Sequence, residues 1–264
     1  MLSDGYSTCS DPSARQFAPM PRDRTPWLIG WEAAKSNAAP AFVLQAFMLA
    51  ILLAYYFHPP SAALLNAVST YKEQHGLAFV LIASVFVGAV LPELFAIIFF
   101  QRGRFRIQNV RNFIFNAPFW AVDGFLVNVM YRLLAFWFGD RVSFPVVAAK
   151  IVVDQLGYNP FFAAPYGIWG YAWKNTGYSW RKLRPLLTWK YYRIHALPVL
   201  IATWAVWIPL MAVVYSLPFA LQFPLFALAL AFWVLMMTYM TNRFAEGHDT
   251  PVTTPLDIPA GIAR

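Results

Sequence analysis

The stretch ALPVLIATWAVWIPLMAVVYSLPFALQFPLFALALAFWVLMMTYM, residues 196–240, contains no lysine, arginine, aspartate or glutamate. A helix needs about 20 mostly apolar residues to cross a bilayer, so this stretch is long enough for two crossings. Ser216, Leu217 and Pro218 divide it. A very short turn there gives spans at 196–216 and 219–240.

Working outward, the same reading finds four more spans, at 40–57, 77–100, 113–138 and 144–171. The first is barely long enough. The fourth carries Pro160 and Pro165, which predict a kink or break. The fold class is therefore all-α, a polytopic transmembrane helix bundle of about six spans. Composition agrees: 59% of the 264 residues are hydrophobic and 12% charged, against about 25% charged in soluble domains. With 24 Phe, 13 Tyr and 11 Trp, a water-soluble fold of this size could not keep its apolar surface dry.

Basic residues set orientation, because short cytoplasmic loops are enriched in them. The N-terminal tail has Arg15, Arg22, Arg24 and Lys35, and the first loop has Lys72. The second loop has Arg102, Arg104, Arg106 and Arg111, and the third has Arg141. The fourth has Lys174, Arg181, Lys182, Arg184, Lys190 and Arg193; the fifth has none; the C-terminal tail has Arg243 and Arg264. The series 4, 1, 4, 1, 6, 0, 2 alternates throughout and predicts both termini inside (N-in/C-in).

The chain divides accordingly. Residues 1–39 are a polar tail, expected to be disordered. Residues 40–100 hold two helices, and 101–243 hold four more. Residues 244–264 form a flexible tail. Residues 1–26 carry six charges and four prolines without an apolar core, which fits neither a signal peptide nor a mitochondrial presequence. Within the third region, 172–195 mixes Trp173, Trp180, Trp189, Tyr191 and Tyr192 with six cations. That composition predicts an interfacial segment in the head-group layer. The net charge of +8 points to anionic lipids as partners, and no basic stretch reads as a nucleic-acid arm. A homo-oligomer is compatible with this reading.

Ionisable groups inside spans are costly unless paired or wetted, so each marks a functional candidate. Five fall here: Glu93, Asp123, Arg132, Lys150 and Asp154. Gly124, Asn128 and Arg132 recur every four residues and share one helix face. Lys150 and Asp154 are also four apart, with Gln155 adjoining. Folding the third and fourth spans about residue 141 sets Asn128 level with Asp154, and Arg132 level with Lys150. Two readings stay open. One is a charge clamp joining the helices, and the other is the polar lining of a water-filled path.

Sites of other kinds are missing from the sequence. His58, His75, His195 and His248 are isolated, and Cys9 is the single cysteine. Neither a metal-ligand spacing nor a phosphate loop nor a nucleophile elbow is present. No catalytic residue, metal or cofactor is expected.

The second half of the chain resembles the Mpv-seventeen / peroxisomal membrane protein twenty-two family. The resemblance rests on Gly124 and Tyr131, then on the Lys150, Asp154, Gln155 and Pro160 segment. Trp180, Trp204, Trp207, Pro209, Pro218 and Trp233 follow in the family's order. It covers about residues 90–243. Phe125, Asn128 and Met130 replace the family's Pro, His and Trp. The resemblance implies a small helical membrane protein with about four spans, to which this chain adds two. It also implies weakly selective channel behaviour. A bacterial cytoplasmic (inner) membrane is the first expectation, with a mitochondrial inner or peroxisomal membrane as the alternative. The functional expectation is a channel-like or transport-related protein passing ions or small solutes. The alternative is a structural or assembly protein docking a partner through 172–195.

Overall fold

In hydrocarbon every backbone N–H and C=O must be satisfied within the chain, so apolar segments fold as helices. The computed structural model describes residues 25–245, and no strand occurs among them. Cys9, His248 and the tails beyond these bounds lie outside the described residues.

Helix α1 (Pro26–Ser36) starts with a capped turn, in which the Thr25 side chain accepts from the Leu28 N–H at 3.4 Å. Pro26 occupies the first position, where its missing N–H costs nothing. Part of the expected disordered tail is therefore helical. The reason is an apolar run, Trp27-Leu28-Ile29, with Gly30 seated against Pro198 and Ile201 of a later helix.

Helix α2 spans Ala38–Phe57 and α3 spans Pro59–Val85. A π-helical turn (Phe86–Val90) leads into α4 (Leu91–Phe99). This helical run of 41 residues would extend about 60 Å at 1.5 Å per residue, twice the hydrocarbon thickness. It breaks at Gly76, whose φ and ψ of 50° and −122° are not helical. The break separates a polar piece carrying Lys72, Glu73 and His75 from the apolar span that follows.

Helix α5 (Ile107–Phe138) comes next. Then α6 (Phe144–Val152), a π-helical segment (Val153–Ala163) and α7 (Ala164–Asn175) form one continuous path. Short α8 (Trp180–Leu183) and a 3-10 turn (Arg184–Leu186) precede α9 (Trp189–Tyr215) and α10 (Phe219–Ala245). Helices α7 and α9 both enter the 172–195 region, which leaves its middle for α8 and the turns.

Among the described residues, five helices are long and apolar enough to cross a membrane: Ala38–Phe57, Pro59–Phe99, Ile107–Phe138, Trp189–Tyr215 and Phe219–Met236. The chain is an integral membrane protein. The expected fourth span is not among these five: 144–175 is continuous helix, but Lys150, Asp154, Gln155 and Asn159 make it less apolar than the others.

Helices α2 and α9 run in the same direction. Gln45 donates from Nε2 to the carbonyls of Ala205 (3.1 Å) and Val206 (3.3 Å). Eleven residues on, Tyr56 donates to the Ser216 carbonyl at 2.8 Å. The core gathers Leu44 and Met48 of α2, Leu134 of α5, Leu210 and Val214 of α9, and Leu221 and Phe223 of α10. Bulky apolar groups also face outward, among them Phe136 (83% exposed) and Phe144 (88% exposed). A surface of that kind suits lipid as solvent.

Two glycines let neighbours approach α5. A Cβ at Gly88 would overlap the Trp120 ring, and one at Gly124 would overlap the Ser84 side chain. Small residues at helix contacts maximise packing where lipid removes the hydrophobic driving force. Gly88→Ala and Gly124→Ala should each destabilise by about 1–3 kcal/mol, the usual cost of overpacking. Gly157→Ala, with nothing within 4 Å of the new carbon, should be neutral. Thermal unfolding in detergent checks this contrast.

Candidate functional site

Between α5, the π segment, α9 and α10 lies a cavity of about 230 Å³. One stripe of α5 supplies a wall: Trp120, Asp123, Val127, Met130 and Tyr131. These positions recur at three- and four-residue steps and so lie on one face. Opposite stand Asp154, Gln155, Tyr158 and Asn159. Thr203, Trp207 and Met211 of α9 and Phe226 and Leu230 of α10 close the space.

The π segment explains how Asp154 reaches this cavity. The path widens to i→i+5 turns over Val153–Ala163, a feature often found at functional sites. Pro160 and Pro165 have no N–H to donate to the carbonyls five residues before them. Carbonyls released from the ladder find partners across helices. Trp204 Nε1 donates to the Gln155 carbonyl at 2.9 Å, and the Tyr192 hydroxyl donates to the Pro160 carbonyl at 2.6 Å.

Asp154 is 4% exposed, and its Oδ2 accepts from the Tyr215 hydroxyl at 2.8 Å. Gln155 Oε1 accepts from Asn159 Nδ2 at 3.4 Å. Asp123 sits on the facing wall, and Tyr158 lies within electrostatic range of both carboxylates. Buried donors without a protein partner include the hydroxyls of Tyr131 and Tyr158 and Nε1 of Trp120, all in lining residues.

The expected charge clamp has a different geometry. Asp154 is held by a tyrosine of α9, and neither Arg132 nor Lys150 lines the cavity. Lys150 is buried and lies in range of Asp140 at the preceding turn. Arg132 is exposed and lies in range of Lys72. The face shared by Gly124, Asn128 and Arg132 turns toward α3, where Gly124 meets Ser84. Two physical effects produce this. Close helix contact claims the glycine-bearing face, and the change from α to π turns alters the angle between Lys150 and Asp154.

Among the motif residues, Tyr131 and Trp207 line the cavity, while Trp204 and Pro160 form the cross-helix bonds just described. Trp233 packs edge-on to Trp207 at 6.3 Å between centroids. Pro209 lies inside α9, and Pro218 sits in the α9–α10 turn. Trp180 is exposed at the start of α8.

A second polar cluster surrounds Glu93, and its asparagines escaped sequence reasoning. Asn109, Asn112 and Asn116 are all buried and continue the α5 stripe toward Arg106. Glu93 Oε2 accepts from Asn109 Nδ2 at 2.6 Å, and Asn116 Oδ1 accepts from the Tyr171 hydroxyl at 3.1 Å. Lys174 lies over the Phe115 and Tyr171 rings. Three asparagines at spacings of three and four were the available signal.

Comparisons with models of protein families, with curated proteins and with solved structures gave no match.

Removing the Tyr215 hydroxyl strips the buried Asp154 of a donor. Tyr215→Phe should therefore cost about 1–3 kcal/mol, the scale for a buried group losing its partner. Thermal unfolding in detergent measures the loss. A variant as stable as the parent would place the hydroxyl outside the support of Asp154.

Proposed function

We propose that the chain is a channel-like or transport-related membrane protein passing small solutes or ions by way of this cavity. The observation that carries the reading is a pair of facing carboxylates, Asp123 and Asp154, in a cavity within an integral membrane bundle. Ionisable groups are kept at such depth chiefly where they line a solute or ion path. Asp154 is the central charged group, and Gln155 and Asn159 supply hydrogen-bonding wall. We assign no enzymatic role.

The proposed topology has six crossings, counting the path 144–175, with both termini inside. The parallel course of α2 and α9 fits it, since an odd-numbered span must point the same way as the other odd ones. The basic loops 101–106 and 176–188 then share the cytoplasmic face. Anionic lipids meet them there, in a bacterial cytoplasmic membrane by preference. Membership of the Mpv-seventeen / peroxisomal membrane protein twenty-two family belongs to the same proposal. The alternative, a docking protein, is favoured by one observation: Trp180 and Trp189 stand exposed beside Arg181 and Lys182.

Two experiments test this. In a Cys9→Ser background, cysteines placed at Arg104 and Lys182 should react with an impermeant maleimide from one face of sealed vesicles. Those placed at Glu73 and Asp140 should react from the other. Labelling of Arg104→Cys and Asp140→Cys from the same face would break the six-span topology. Purified protein in liposomes should conduct, with selectivity changed by Asp154→Asn. Conductance equal to that of empty liposomes would defeat the transport reading and favour docking.

A further inference from the structure

Resting on the cavity as the solute site, we infer that its ligand is a small organic ammonium ion that also carries an oxygen acceptor. Three features of the wall point to that chemistry. First, the lining includes two carboxylates and no lysine, arginine or histidine. Neither basic side chain expected nearby lines the cavity: Lys150 lies in range of Asp140, and Arg132 is exposed. A carboxylate keeps its negative charge in a low-dielectric interior only with a partner, and a bound cation supplies one.

Second, much of the remaining wall is aromatic: Trp120, Tyr131, Tyr158, Trp207 and Phe226. Aromatic faces attract alkylammonium groups through the ring quadrupole. The alkyl part of such an ion also packs on these rings, a contact that a bare K⁺ or Na⁺ cannot make.

Third, the wall presents donors as well as acceptors. The Tyr131 hydroxyl is buried without a protein partner, in a residue 3% exposed, and the Tyr158 hydroxyl and Trp120 Nε1 are also unpartnered. An ammonium group has no lone pair to offer them. An oxygen on the same molecule does, from a hydroxyl, ether or carbonyl. The volume of about 230 Å³ holds about eight water-sized groups at about 30 Å³ each. A two- to four-carbon amino alcohol fits both the size and the chemistry.

The probe is radiolabelled ethanolamine bound to the full-length protein in detergent, with ethylammonium, acetate and KCl as competitors. Saturable binding is expected, with ethanolamine the strongest competitor, ethylammonium weaker, and acetate and KCl without effect. Asp154→Asn and Asp123→Asn should each weaken binding at least tenfold. The second variant keeps the test valid if the first fails to fold. Tyr131→Phe should remove the preference for ethanolamine over ethylammonium while ethylammonium affinity holds. Three results overturn the inference: no saturable binding, competition by KCl or acetate equal to ethanolamine, or full binding by a folded Asp123→Asn variant. Liposomes that conduct K⁺ while the protein ignores ethanolamine would overturn it and leave the transport reading standing. Binding without any flux would do the reverse.

Discussion

Close packing around α5 is the constraint on which the rest of the structure depends. Lipid offers helices no hydrophobic reward for meeting, so contact surfaces must fit by shape. Gly88 receives the Trp120 ring and Gly124 receives Ser84. These contacts fix which face of α5 meets α3. The adjoining stripe, with Asp123, Val127 and Tyr131, faces α9, α10 and the π segment. The cavity lies along the edge of that close contact, and Trp120 belongs to both, with its ring against Gly88 and in the cavity wall.

The π segment is the complementary device. Pro160 and Pro165 supply no N–H to its wider turns, which leaves carbonyls that would be costly in hydrocarbon. Trp204 and Tyr192 of α9 donate to them, which locks the irregular stretch against a straight helix. Tyr215, at the far end of α9, holds Asp154. One helix therefore braces both the unusual backbone and the buried carboxylate. The cavity has a rigid wall on that side.

Much of the architecture was legible in the sequence because the solvent is lipid. Stretches such as 196–240 admit few readings other than spanning helices, and the loop charges are unusually regular. Asp123 and Asp154 were also legible, as carboxylates at span depth. Their surroundings were not. Four-residue spacing placed Arg132 and Lys150 beside Asp154 only if both helices stayed regular α, and the π segment breaks that condition. Tyr215 lies 61 residues from Asp154, so no local pattern links them. The tyrosine hydroxyls gave no local signal, since a side chain's depth in the bundle is set by packing rather than by its neighbours in sequence. Helix α1 was hidden by the proline-rich tail before it, although Trp27 to Trp31 already carried its apolar character.

The account turns on one physical claim, that the α5 stripe and α9 enclose a wet space rather than dry packing. Thiols react with methanethiosulfonates as thiolates, which require water. Thr203 is small, lines the cavity and tolerates cysteine on size, whereas Phe136 faces outward. The direct measurement is the reaction rate of Thr203→Cys with a cationic methanethiosulfonate, in a Cys9→Ser background, beside Phe136→Cys. A cavity open to solutes predicts rapid modification at 203 and little at 136. Equal inertness at both positions would contradict it.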